Sequence, residues 1–144
     1  MAALTTAFAA ALVEKLTIRA AVARRLKRIR DDCVRLAAHD AEQFAQVVRA
    51  LRTHRRSHLQ QALRTATDIP CRVIEHARAI QTICRILSRS LKSQFRADLR
   101  CAQALARAAE VGADAMIRTN LSWLGDGTYA ATIQRRLKRA RRIG

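Results

Sequence analysis

The segment ADLRCAQALARAAEVGADAMIRTNLSWLGDG, residues 97–127, decides the fold. At helical period, Asp98, Ala102, Leu105, Ala109, Gly112, Met116 and Asn120 share one face. The middle of that face is small, so a second helix can approach closely. Its two ends carry an acid and an amide. Buried polar groups cost free energy unless they are paired, so each end is expected to have a structural or ligand partner. The plainer alternative is that Asp98 caps the helix and Asn120 ends it.

Working outward, the composition agrees with a helical chain. Apolar residues make up 50% and aromatics 3%, with Pro 1 and Gly 4. Ala, Leu and Arg are strong helix formers, and little punctuates the chain as strands require. A length of 144 residues fits one domain with a real core, spanning residues 1–144. The expected fold class is all-α, a bundle of about five helices. Lys+Arg 28 against Asp+Glu 11 leaves a formal charge of +17, a field that attracts polyanions. Proteome-wide drift towards arginine explains the same numbers equally well.

Cys33, Cys71, Cys84 and Cys101 are widely spaced and read as reduced core thiols in a cytoplasmic protein. The apolar start breaks at Glu14 and Lys15 and lacks a basic lead, which argues against a signal peptide or membrane span.

The first helix is predicted over about residues 4–23, with Leu4, Phe8, Leu12 and Leu16 on its core face. The second runs over about 24–53, with a stripe of Leu26, Ile29, Cys33, Leu36, Asp40, Phe44, Val47 and Leu51. A carboxylate inside that stripe must be paired, protonated or facing a pocket. A basic turn spans residues 52–58. His54 and His58 stand at i, i+4 within it, but without a third ligand nearby no metal is expected. The third helix carries Thr65-Ala66-Thr67-Asp68-Ile69-Pro70, where the proline is expected to kink it. A short basic helix closes the chain over residues 128–143.

Several of these features resemble the cyclodeaminase/methenyltetrahydrofolate cyclohydrolase family, the C-terminal domain type of formiminotransferase-cyclodeaminase. Asp98, Asn120 and the turn Leu124-Gly125-Asp126 match its last long helix and turn in frame. Asp40 and Phe44 match its Asp-x-x-x-Phe, the run to Pro70 matches its Thr-hydrophobic-Pro segment, and Leu16-Thr17 matches its Leu-Thr. The departures are on the ligand-facing side. Ala97 replaces a serine, Met116 an asparagine, Arg19-Ala20-Ala21 a Gly-Lys-Lys, and Leu91-Lys92 a Gly-Asn. The segment Met1-Ala2-Ala3-Leu4 stands where the family has a glycine-rich lead.

The resemblance implies a homodimer acting on a tetrahydrofolate-type one-carbon carrier. The chemistry is hydrolysis of a methenyl bridge or loss of ammonia from a formimino group, with no metal or cofactor. It assigns proton transfer to Asp40 and Asp98, and substrate contacts to Phe44, Thr67, Asp68, Pro70 and Asn120. Folates often carry glutamate chains, for which Arg55, Arg56, Arg135, Arg136, Lys138, Arg139, Arg141 and Arg142 are candidate contacts. Two alternatives stay open: a folate- or pterin-binding protein or partner subunit without catalysis, and a basic nucleic-acid-binding helical protein. Too few aromatics for stacking platforms weigh against the last.

Overall fold

The computed structural model describes residues 1–53 and 55–143, with side chains to residue 140. Its elements are α1 Ala2–Leu16, α2 Ala20–Arg52, α3 Arg56–Leu87, a 3₁₀ turn Ser93–Phe95, α4 Arg96–Leu124 and α5 Gly127–Ile143. No strand occurs among the described residues. Two core clusters define how the helices lie. One joins Ala7–Val13, Leu26–Cys33, Ala77–Leu87 and Leu99–Ala106. The other joins Ala3, Leu36, Ile69–Ile74 and Ala109–Ile117. From the first cluster to the second, numbering rises in α2 and α4 and falls in α1 and α3. The four helices therefore alternate in direction as an antiparallel bundle.

The seam between α1 and α4 is made of small residues. Ala3, Ala7, Ala9 and Ala10 of α1 and Ala102, Ala106, Ala109 and Ala113 of α4 are all buried in the shared core, with Val13 beside them. A Cβ built on Gly112 would reach the Cβ of Ala2 at 3.9 Å, an ordinary contact, so alanine would fit there too. The expected face of α4 therefore keeps its small middle but is rotated. Its buried residues are Leu99, Ala102, Ala106, Ala109, Ala113, Ile117 and Leu124. Asp98 is exposed and Asn120 half-buried at the border.

The expected first helix is corrected on two points. It ends at Leu16, and Thr17 (φ −109, ψ 131) and Arg19 (φ −80, ψ 104) are extended. Thr17 and Ile18 are both β-branched, which disfavours helix. The Thr17 hydroxyl accepts the Arg19 N–H at 3.2 Å, satisfying a donor freed by the break. Leu4 and Phe8 are 50% and 64% exposed, so the alanine side of α1 makes the core instead. In α2 the apolar stripe is buried only as far as Leu36, and its second half runs past the bundle with α3 as a hairpin. α3 starts at Arg56, within the stretch expected to be a turn, and continues through Pro70.

α5 folds back over α3 from the Leu124-Gly125-Asp126 turn. Gly125 caps α4 in the left-handed region (φ 63, ψ 20), its N–H donating to the Leu121 carbonyl at 3.1 Å. The Asp126 carboxylate accepts the Tyr129 N–H at 3.0 Å, which starts α5 and, with Arg64 beside it, keeps the carboxyl below its ordinary range. Arg64 bonds Asp126 at 2.6 Å and lies over the Tyr129 ring, 5.4 Å from its centroid. Tyr129, Ile133 and Leu137 then pack against the second core cluster.

Two outcomes follow from this packing. Gly125→Ala places a Cβ in the left-handed region and should lower stability by about 1–2 kcal/mol, read from the denaturation midpoint. An unchanged midpoint would mean the turn is not held in that conformation. The second concerns the thiols. Cys33, Cys71 and Cys84 are buried, and loss of solvation raises Cys33 to about 12 and the other two to about 11. Cys101 is exposed, contrary to the expectation of a core thiol. Thiol titration of the native protein should therefore modify Cys101 quickly and the other three only after denaturation.

Candidate functional site

Residues singled out from the sequence converge at the end of the bundle where α1 begins. Asp40 of α2 lines a small cavity with Ala2, Ala3, Ile69, Pro70, Val73 and Met116, so four helices contribute to its wall. Its volume is about 10 Å³, close to that of a single water-sized probe. Asp40 is half-buried and makes no hydrogen bond or ion pair among the described residues. It is thus an ionisable side chain in an otherwise apolar lining. One turn further along each helix stand Phe44 on α2 and Asn120 on α4. Those helices run parallel, so the two rows climb from the cavity in the same direction. Phe44 is 69% exposed, an aromatic face open to solvent.

The other candidates lie elsewhere. Asp98 sits in the exposed first turn of α4. The stretch of α4 from Asp98 to Met116 spans about 27 Å at the helical rise, so the two carboxylates cannot meet on one ligand within a single chain. Thr67 is buried, its hydroxyl donating to the Leu63 carbonyl at 2.6 Å. Asp68 faces α5, where Arg136 donates to it at 2.6 Å. Arg136 also donates to Glu75 at 2.6 Å, and this pairing raises its already high pKa. Arg135 leans back on Ala131 and Thr132, while Lys138 and Arg139 are exposed.

Arg55 and Arg56 are exposed at the tip of the α2–α3 hairpin. Near that tip, Gln43, Gln46, Arg49, His58 and Gln61 line an open polar groove of about 390 Å³. His54 and the side chains of Arg141 and Arg142 lie outside the described residues. Among the described residues no group of three or more His, Cys, Asp or Glu could hold a metal ion. No described helix is long and apolar enough to cross a membrane.

The formiminotransferase-cyclodeaminase family model matches residues 1–139. The chain belongs to the formiminotransferase-cyclodeaminase family. Its fold is similar to the crystal structure of formiminotetrahydrofolate cyclodeaminase from Thermotoga maritima. The TM-score is 0.79 at 22% identity, covering 96% of this chain and 77% of that one. No curated protein matches the chain.

In this family member, one polar cluster escaped the sequence reading. Asp32 of α2, its side chain 15% exposed, accepts from Arg72 at 2.7 Å and from Arg35 at 3.3 Å. His76 Nε2 lies 2.7 Å from the same carboxylate. Arg72 and His76 are i, i+4 on α3, the only sequence hint of a shared acid. Burial pushes the Asp32 carboxyl up, but the His76 hydrogen bond and the Arg72 and His76 charges outweigh it and hold it below its ordinary value. A depressed folded pKa stabilises the fold fully above the unfolded value, and the contribution fades as pH falls through the folded one. Asp32→Asn should therefore cost about 1–2 kcal/mol at neutral pH. The gap from wild type should narrow below about pH 4. Parallel stability curves across that range would show that the charge of Asp32 plays no part.

Proposed function

We propose that this protein binds a tetrahydrofolate-type one-carbon carrier at the Asp40 end of the bundle and acts on its methenyl or formimino group. The observation that carries the reading is Asp40 itself: an unpartnered carboxylate on an apolar wall, at the family's Asp-x-x-x-Phe position, beside a space the size of one water. Such a carboxylate is suited to take a proton from water as the water attacks the bridging carbon. The C–N bond then opens and the nitrogen recovers a proton, leaving a formyl group. For a formimino carrier, the neighbouring amine nitrogen would attack the formimino carbon, and the same carboxylate would move its proton to the departing nitrogen, which leaves as ammonia and closes the methenyl bridge. Phe44 supplies an apolar face for a flat ring, Pro70 the wall behind it, and Asn120 a donor and acceptor along the same rise. Arg55 and Arg56, at the tip of the hairpin that carries Asp40 and Phe44, are placed to meet a glutamate tail. Arg136 is already engaged by Glu75 and Asp68.

A second reading is that the chain binds the carrier without turning it over, alone or as a partner subunit. It draws support from Met116, an apolar residue at the cavity where the resembling family has an asparagine, and from the distance between Asp40 and Asp98.

Incubation with 5,10-methenyltetrahydrofolate, followed by loss of its absorbance, and with the formimino form, followed by gain of the same absorbance, separates the two. An active protein clears or generates the absorbance, and Asp40→Asn slows turnover by about 10²–10⁴ with the melting temperature kept. Binding without turnover supports the second reading. Neither binding nor turnover with methenyl or formimino carriers overturns both.

A further inference from the structure

On the outer side of α3, away from Asp40, α2 and α5 form the walls of a long groove. One part, of about 590 Å³, is lined by Arg25, Arg28, Ile29, Asp32, Arg35 and His76 among others. A second part, of about 340 Å³, continues it between Arg25, Arg136, Arg139 and Ala140. The two share Arg25, Glu75 and Ala79, so they form one cleft. Each is within the size range of small-molecule sites.

The charges in the cleft are unevenly matched. Every carboxylate lining it is already held. Asp31 is bonded by Lys27 at 2.6 Å and Arg30 at 3.3 Å. Asp32 is held by Arg35, Arg72 and His76, and Glu75 by Arg136. Arg25, Arg28 and Arg139 have no hydrogen bond or ion pair among the described residues. Arg25 and Arg28 stand one turn apart on α2, and Arg139 faces the cleft from α5. Three arginines without a partner among the described residues thus line a cleft whose acids are spoken for, above an apolar floor of Ile29, Ala79 and Ala140.

We propose that this cleft binds a phosphorylated organic anion carrying linked phosphates, of the nucleoside di- or triphosphate class. Guanidinium forks match phosphate oxygens bidentately. Linked phosphates concentrate charge in one ligand that can meet Arg25, which lines both parts of the cleft, with Arg28 on one side and Arg139 on the other. Carboxylates spaced by whole residues spread the same charge over a greater length. The apolar floor offers a surface for the ring of such a ligand. The ion pairs of Asp32 and Glu75 fix the positions of the walls, because they tie α2 to α3 and α5 to α3. The inference is independent of the folate reading, since the cleft and the Asp40 cavity occupy opposite sides of α3.

The test is titration calorimetry with ATP in EDTA, tripolyphosphate and a pentaglutamate peptide, at low ionic strength. Wild type should bind ATP most tightly. The double variant Arg25→Gln/Arg28→Gln and the single variant Arg139→Gln should each weaken ATP by about tenfold or more. Arg100→Gln/Arg107→Gln, with the same charge change on the exposed face of α4, should stay within about twofold. The substituted arginines are exposed and unpartnered among the described residues, and unchanged melting curves will confirm that the variants fold. Equal weakening by the α4 variant would mean a diffuse field and overturn the proposal. So would pentaglutamate binding as tightly as ATP with the same arginine dependence, or no binding of ATP at all.

Discussion

The close approach of α1 to α4 is the contact on which the bundle depends. Alanines on both helices bring the backbones together, and a larger side chain at Ala106 or Ala113 would force them apart. Because each alanine removes little apolar surface, the seam cannot stabilise the fold by area alone. The larger side chains, Leu26, Ile74, Ile80 and Val13, fill the space that α2 and α3 leave around it. Dense packing between small faces therefore defines the distance between helices, and the remaining core adapts to that distance.

Arginine is the second structural material. Arg78 donates to Glu110 on α4 at 2.7 Å and to the Leu137 carbonyl on α5 at 2.6 Å, so one side chain ties three helices. Arg136 fastens α5 to α3, Arg64 holds the α4–α5 turn, Arg72 joins α3 to α2, and Arg30 bonds Glu14 between α2 and α1. Part of the strong positive charge is thus spent on cross-helix ties. What is left over lies exposed along the helices, including the outer groove of α3 and the hairpin tip.

The helical class, the long α4 and the basic last helix were legible because each rests on local pattern, and the Gly125 turn was legible through the family resemblance. The face of α4 was legible in its small middle but not in its phase, since Asp98 and Leu99 both fit a helical stripe and only packing chooses between them. Phe8 misled for a related reason: by hydrophobicity it belongs inside, yet a seam of alanines has no room for it. Asp40 could be singled out as an acid within an apolar stripe, and its neighbours Pro70 and Met116 came from the family pattern. Asp98 could not be placed relative to it, because their separation follows from the direction in which four helices run. The Asp32–His76 contact joins residues far apart in sequence, and no local rule connects them.

The order of the chain has a consequence for how the molecule is made. α1 leaves the ribosome before the other four helices described, and its alanine face has as partner a helix some ninety residues later. Until α4 is complete, α1 can lean only on α2 and α3, and the cavity beside Asp40 lacks the wall that Met116 supplies. The hairpin of α2 and α3 can form early from contacts across one short turn. Closure of the ring waits for α4, and it joins the two ends of the bundle and the Asp40 cavity in one event. The site is therefore completed when α4 docks, whereas the outer groove still waits for α5.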